Sequence, residues 1–137
     1  MNALIERLPK VELHLHIEGT LEPELMLALA ERNQIALPYK SLSAVQAAYH
    51  FDDLQSFLNL YYLGASVLVT ENDFYELMSQ YLSRACAQNI VHAEVMFDPQ
   101  THLQRGIGFE VFMSGFVRAI EEAKAQWGLS VYLILCF

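Results

Sequence analysis

Lys10-Val11-Glu12-Leu13-His14-Leu15-His16-Ile17-Glu18-Gly19-Thr20 is the stretch on which the fold turns. The apolar run from Val11 to Ile17 reads as a strand, with Pro9 before it and the acid–glycine pair Glu18-Gly19 ending it. Side chains on a strand alternate faces, so residues two apart project together and His14 and His16 aim at one point. Imidazole is the commonest metal ligand and suits zinc, copper, iron or nickel. The turn places the pair just below the carboxyl end of the strand, where parallel α/β sheets and barrels bind their ligands. Two histidines are half of the tetrahedral set that zinc usually takes.

Outward from that strand, Pro23 suits the first turn of a helix, and the flanking Glu22 and Glu24 favour the positive end of its dipole. This helix is expected to reach Asn33 and to bury Leu25, Met26 and Leu29. A looser stretch through Pro38 and Tyr39 precedes a short helix over Leu42 to Ala48. Asp52 with Gln55 has the form of a capping box, and Leu54, Phe57, Leu58, Tyr61, Ala65 and Leu68 then follow the helical apolar period. Thr70 with Asp73 starts another helix, whose stripe of Phe74, Leu77, Met78, Tyr81, Leu82 and Ala85 ends near Asn89. Both stripes read as core packing. Ile90 to Phe97 is a second strand, stopped by Asp98-Pro99. A polar loop with Gly106 and Gly108 leads into a helix presenting Phe109, Phe112, Met113, Phe116, Val117 and Ile120, closed by Gly128. Leu129 to Phe137 is a third strand.

Strands alternating with helices imply an α/β fold with parallel pairing and right-handed crossovers. No internal repeat, low-complexity tract or linker interrupts the chain, so residues 1–137 read as one unit. An open sheet ending on an apolar strand leaves unpaired edges, which native domains avoid, so the sequence looks cut off. The net charge of −8, with eight scattered basic residues, argues against nucleic-acid binding. Cys86 and Cys136 form no CxxC pair and read as inert core thiols in a reducing compartment. Met1 to Lys10 lacks the apolar stretch of a signal peptide, and Val131 to Phe137 is too short to span a bilayer. The expectation is a cytoplasmic, soluble protein with no membrane partner.

Leu8 to Leu21, together with Phe51-Asp52-Asp53-Leu54-Gln55-Ser56-Phe57-Leu58 and Glu94 to Gln100, is similar to segments of the adenosine/adenine deaminase family. This family is the purine-deaminating branch of the metal-dependent amidohydrolases. The resemblance implies the amino-terminal portion of a (β/α)8 TIM-type barrel with a helical insert after strand 1, about three parallel strands being present. A complete barrel takes about 250 residues, so 1–137 would be a single partial domain. The resemblance also implies that His14 and His16 bind one zinc ion (Zn2+) per complete site. The metal would lower the pKa of its bound water, which attacks the purine C6 as ammonia leaves. The further ligands and the acid–base residues of the family belong to later strands, so no catalytic residue is expected within this chain.

Glu18 and Gly19 are the candidate substrate-binding residues. Nucleoside deaminases of the family typically carry aspartate where Glu18 stands, and Glu18 with Thr20 to Glu24 is closer to the adenine deaminase branch. The rationale is that one extra methylene pushes a carboxylate into space a ribose would need. The implied partner is a small-molecule purine, and the implied reaction is hydrolysis of adenine to hypoxanthine and ammonia in purine salvage. Adenosine deamination and a non-catalytic truncated piece are the alternatives. The oligomeric state stays open. Glu94, in an apolar strand, is expected in a buried ion pair. Asp98 and Gln100 follow the second strand and have two readings, facing the pocket mouth or forming a surface turn, of which the turn is preferred. His50, His92 and His102 have no metal-like spacing and read as ordinary polar or packing residues. The Arg105-Gly106-Ile107-Gly108 loop has too few glycines for a phosphate cradle.

Overall fold

The computed structural model describes residues 2–137. In chain order the elements are α1 (Asn2–Arg7), β1 (Lys10–His16), a 3₁₀ turn (Ile17–Thr20), α2 (Pro23–Arg32), α3 (Leu42–Ala48), α4 (Leu54–Ser66), α5 (Glu71–Ala87), β2 (Ile90–Phe97), α6 (Pro99–Leu103), α7 (Phe109–Trp127) and β3 (Ser130–Leu135). The three strands form one parallel sheet in the order β1-β2-β3, as expected. Helices α2 to α5 make the first crossover, and α6 with α7 the second. The arrangement is a three-stranded parallel α/β unit, the form that an amino-terminal part of a TIM-type barrel would take.

Start signals act where local chemistry is strongest. Pro23 sits in the first turn of α2, and Thr70 with Asp73 forms a reciprocal capping box on α5. The box on α4 is one residue later than expected: Asp53 and Ser56 cap it, because Asp53 rather than Asp52 holds the extended N-cap conformation. Gly128 closes α7 at φ 70°, a left-handed conformation that glycine adopts without a Cβ penalty.

The core lies on one side of the sheet. Ala93, Val95 and Phe97 of β2 pack with Phe74, Leu77, Met78 and Leu82 of α5 and with Phe112 and Phe116 of α7. Helices α5 and α7 cross so closely at Gly115 that a Cβ there would press on the Glu71 carbonyl oxygen and sit 2.8 Å from the Tyr75 nitrogen. The other sheet face is open, with Val11, Leu13 and Tyr132 exposed. Glu94 pairs in register with Tyr132 on this open face and is half-buried. The ion pair expected for it does not form among the described residues.

Candidate functional site

The histidine pair owes its direction to an irregularity in β1. Glu12 pairs with Ala93 and Leu15 with Val95, so Leu13 and His14 together oppose the single residue Glu94. Two residues against one is a β-bulge. Strict alternation would have put Glu12 on the face of the histidines. The bulge instead turns Glu12 toward the helices, where its Oε2 accepts from the Tyr81 hydroxyl at 2.9 Å. His14 and His16 remain together on the other face, ring centroids 5.8 Å apart and tilted by 35°. A zinc–nitrogen bond is about 2.0–2.1 Å long, so one ion could lie between rings at this spacing. Among the described residues, no three or more His, Cys, Asp or Glu side chains gather into a fuller ligand set.

Beside His16 opens a cleft of about 530 Å³ at the carboxyl ends of the strands. Phe57, Leu58, Tyr61 and Tyr62 form one wall, and His16, Gly19, Asp98 and Cys136 line the remainder. The apolar stripe on α4, expected to be core, is therefore divided. Leu60, Gly64 and Ala65 are buried, Leu54 is exposed, and Phe57 with Tyr61 faces the cleft. A helix has two sides, and here both carry apolar residues.

Asp98 also departs from the expected surface turn: it caps α6 and lines the cleft. Its carboxylate accepts from the Thr101 amide and hydroxyl. The Gln100 amide, with its nitrogen turned inward, donates to Asp98 Oδ1 at 3.0 Å and to the Cys136 carbonyl at 3.2 Å. Cys136, expected in a buried strand, lies just past β3, with Sγ donating to the Phe97 carbonyl and 4.0 Å from His16 Nδ1. Burial, with Glu18 and Asp98 nearby, pushes its thiol above the usual range, so it faces His16 as a neutral thiol.

Glu18 is buried beneath this cleft. Its side chain has no exposed surface and accepts three hydrogen bonds: from Tyr61 Oη at 3.1 Å, the Asp98 amide at 3.0 Å and His102 Nε2 at 3.0 Å. The carboxylate expected to reach into the space of a sugar is held inward by these three donors. Gly19, next in sequence, is the residue that reaches the cleft. Burial first, and then the Glu18 charge, raises the Tyr61 hydroxyl well above its usual range and keeps it a donor.

His102, which spacing gave no reason to single out, stands behind the candidate site through its bond to Glu18. It is fully buried, edge-on to Phe74 at 4.8 Å, and lies 84 positions from its partner Glu18. His50 is exposed, and His92 bonds Ser130 Oγ at 2.9 Å, away from the cleft.

A family model described as Adenosine deaminase matches residues 9–137. An adenine deaminase of Ralstonia pickettii is 59% identical over 139 residues, covering 99% of this chain and 40% of the relative. One of Wolinella succinogenes is 56% identical over 137 residues, covering 100% of this chain and 41% of the relative. The crystal structure of an adenine deaminase from Arthrobacter aurescens matches with a TM-score of 0.89 at 50% identity, over 93% of this chain and 39% of that one. An amidohydrolase from Burkholderia ambifaria, solved with bound Zn, matches with a TM-score of 0.80 at 27% identity, over 97% of this chain and 36% of that one. The chain thus spans about 40% of the length of the curated relatives.

Proposed function

Because the chain belongs to the adenosine deaminase family, we propose that the whole protein is a zinc-dependent adenine deaminase, with this chain contributing His14 and His16 as metal ligands. The reaction is hydrolysis of adenine to hypoxanthine and ammonia, a step of purine salvage carried out in the cytoplasm. The observation that carries this reading is the histidine pair beside an aromatic-walled cleft at the strands' carboxyl ends. The names of the relatives at 56–59% identity support adenine as substrate, and the Zn-bound neighbour supports the metal. No described helix is long and apolar enough to cross a membrane.

Zinc in such a site supplies Lewis-acid activation of water near neutral pH. The chain's own residues bind, orient and exclude water around it. His14 and His16 offer two ring nitrogens from one strand face, and the bulge fixes that face. Phe57, Tyr61 and Tyr62 offer apolar ring surface to a flat heterocycle and restrict water on that side. Gly19 forms substrate wall without a side chain, while Glu18 holds the same wall from beneath through Tyr61 and the Asp98 amide.

The test uses the full-length protein, purified with its metal. It is expected to carry one zinc per site and to turn over adenine with a higher kcat/KM than adenosine. Replacing both histidines, H14A with H16A, is expected to abolish zinc retention. Stoichiometric zinc in the double variant would refute the ligand assignment, and a higher kcat/KM for adenosine would refute the substrate.

A further inference from the structure

Arg105 donates from Nη2 to His102 Nδ1 at 2.9 Å. A guanidinium has no lone pair to accept with, so Nδ1 is the acceptor and the ring proton sits on Nε2. That Nε2–H then donates to Glu18 Oε1 at 3.0 Å, the same oxygen that accepts from the Asp98 amide. The other described acceptors of Arg105 are the carbonyls of Thr101, Ser66 and Leu68, all neutral. Its positive charge therefore meets a buried carboxylate only through the imidazole. The imidazole cannot rotate away, being packed between Phe74 and Phe112 at centroid distances of 4.8 and 5.4 Å.

We propose that His102 is a positioning residue for the substrate wall. As a neutral bridge it links the Arg105 charge to Glu18, and Glu18 in turn holds the Asp98 amide so that the β2–α6 turn keeps its place at the cleft. Nothing in this role requires His102 to touch substrate or metal. The bridge joins three parts of the chain that are distant in sequence: the 3₁₀ turn, the end of α4, and the run from the β2–α6 turn through α6 to Arg105. A wall assembled from so many pieces needs a fixed central contact, and a doubly bonded ring of one tautomer supplies it. The role rests on the purine-deaminase reading of the cleft, although the bridge itself can be measured independently.

The test compares H102Q and H102N in the full-length, zinc-loaded protein. A glutamine amide reaches the position of Nε2 and can still donate to Glu18, whereas an asparagine amide stops at the position of Nδ1. H102N is expected to raise KM for adenine by about tenfold or more with kcat changed by less than about threefold, as lost uniform binding does. H102Q should restore KM to within about threefold of wild type, and zinc content should be unchanged in both. Equal, wild-type KM values in both variants, with only thermal stability reduced, would overturn the proposal. If adenosine proves the better substrate, the adenine reading fails, and the same KM comparison made with adenosine still decides the role of His102. Long-range ¹H–¹⁵N spectra of histidine-labelled wild type, assigned by the signal missing in H102Q, test the bridge without turnover. A ring protonated at Nε2 alone is expected; a proton on Nδ1 would overturn it even if H102N failed to fold.

Discussion

Shortening Glu18 by one methylene should damage the protein more than removing its charge. In E18D the carboxylate retracts by about one C–C bond, roughly 1.5 Å. Contacts now at 3.0 to 3.1 Å from Tyr61, the Asp98 amide and His102 would open to about 4 Å, outside hydrogen-bonding range. Each buried donor left without a partner costs about 1–3 kcal/mol, and relaxation of the turn recovers part of the sum. The expected loss is about 3–5 kcal/mol of stability, from a buried carboxylate and three donors left short of one another.

E18Q keeps the length. Its amide oxygen can still accept from Asp98 and His102, and Tyr61 can turn its hydroxyl to accept from the new amide nitrogen. What disappears is the extra strength that charge lends to the bonds, about 1–2 kcal/mol in total. Denaturant titration of the full-length protein, with adenine kcat/KM measured alongside, separates the two variants. E18D should be the less stable and the less active, by about tenfold or more in kcat/KM. The reverse order would show that charge, not reach, is what the site takes from Glu18. An E18D variant indistinguishable from wild type would remove Glu18 from the wall altogether.

Two further outcomes follow from the frame that carries the site. G115A places a Cβ against backbone atoms of α5 that cannot swing aside, so it should destabilise by about 3 kcal/mol or more by denaturant midpoint; an unchanged midpoint would contradict the observed crossing. Asp73 is buried, which opposes its ionisation, but the amides of Thr70 and Val69 and the Asn33 side chain outweigh burial and hold its carboxyl below the usual value. A depressed pKa gives stability that is complete above the unfolded value of about 3.9 and is lost as pH falls through the folded one. Wild type should therefore exceed D73N by about 2 kcal/mol above roughly pH 5. That gap should narrow only in more acidic solution. A gap that widens on acidification would reverse the sign of the linkage.

The parts of this molecule that were legible in the sequence are those set by neighbours in the chain. The alternation of strands and helices, α2 behind Pro23, α5 behind Thr70 and the αL stop at Gly128 all follow from short-range period and capping. The short helix α6 carries a local signal beyond the strand stop at Asp98-Pro99: Asp98 accepts from the Thr101 amide as N-cap and Pro99 occupies the first turn. The side division of α4 was not readable in the same way. Its period identifies an apolar face but not whether that face meets a core or a cleft, and both occur around the same cylinder.

Glu18 and His102 mark where reading along the chain ends. The first sits in a motif conspicuous for its neighbours; the second sits in the short helix α6, in a stretch that reads as a polar loop with no periodic partner. Glu18 could be singled out as a candidate from its place in the motif, but nothing local pairs it with His102, a residue type that is commonplace on a short polar helix. Their meaning comes from a contact spanning 84 positions, closed only after β2 has paired with β1 and brought the Asp98 turn over the 3₁₀ turn. The bulge at Leu13-His14 has the same origin, for it exists only relative to Glu94 on the neighbouring strand. The histidine pair could therefore be found from spacing two apart, while the reason Glu12 does not join it could not. Chemistry that a single strand presents is written locally; the shell that holds it in place is written in pairings, and those require the fold.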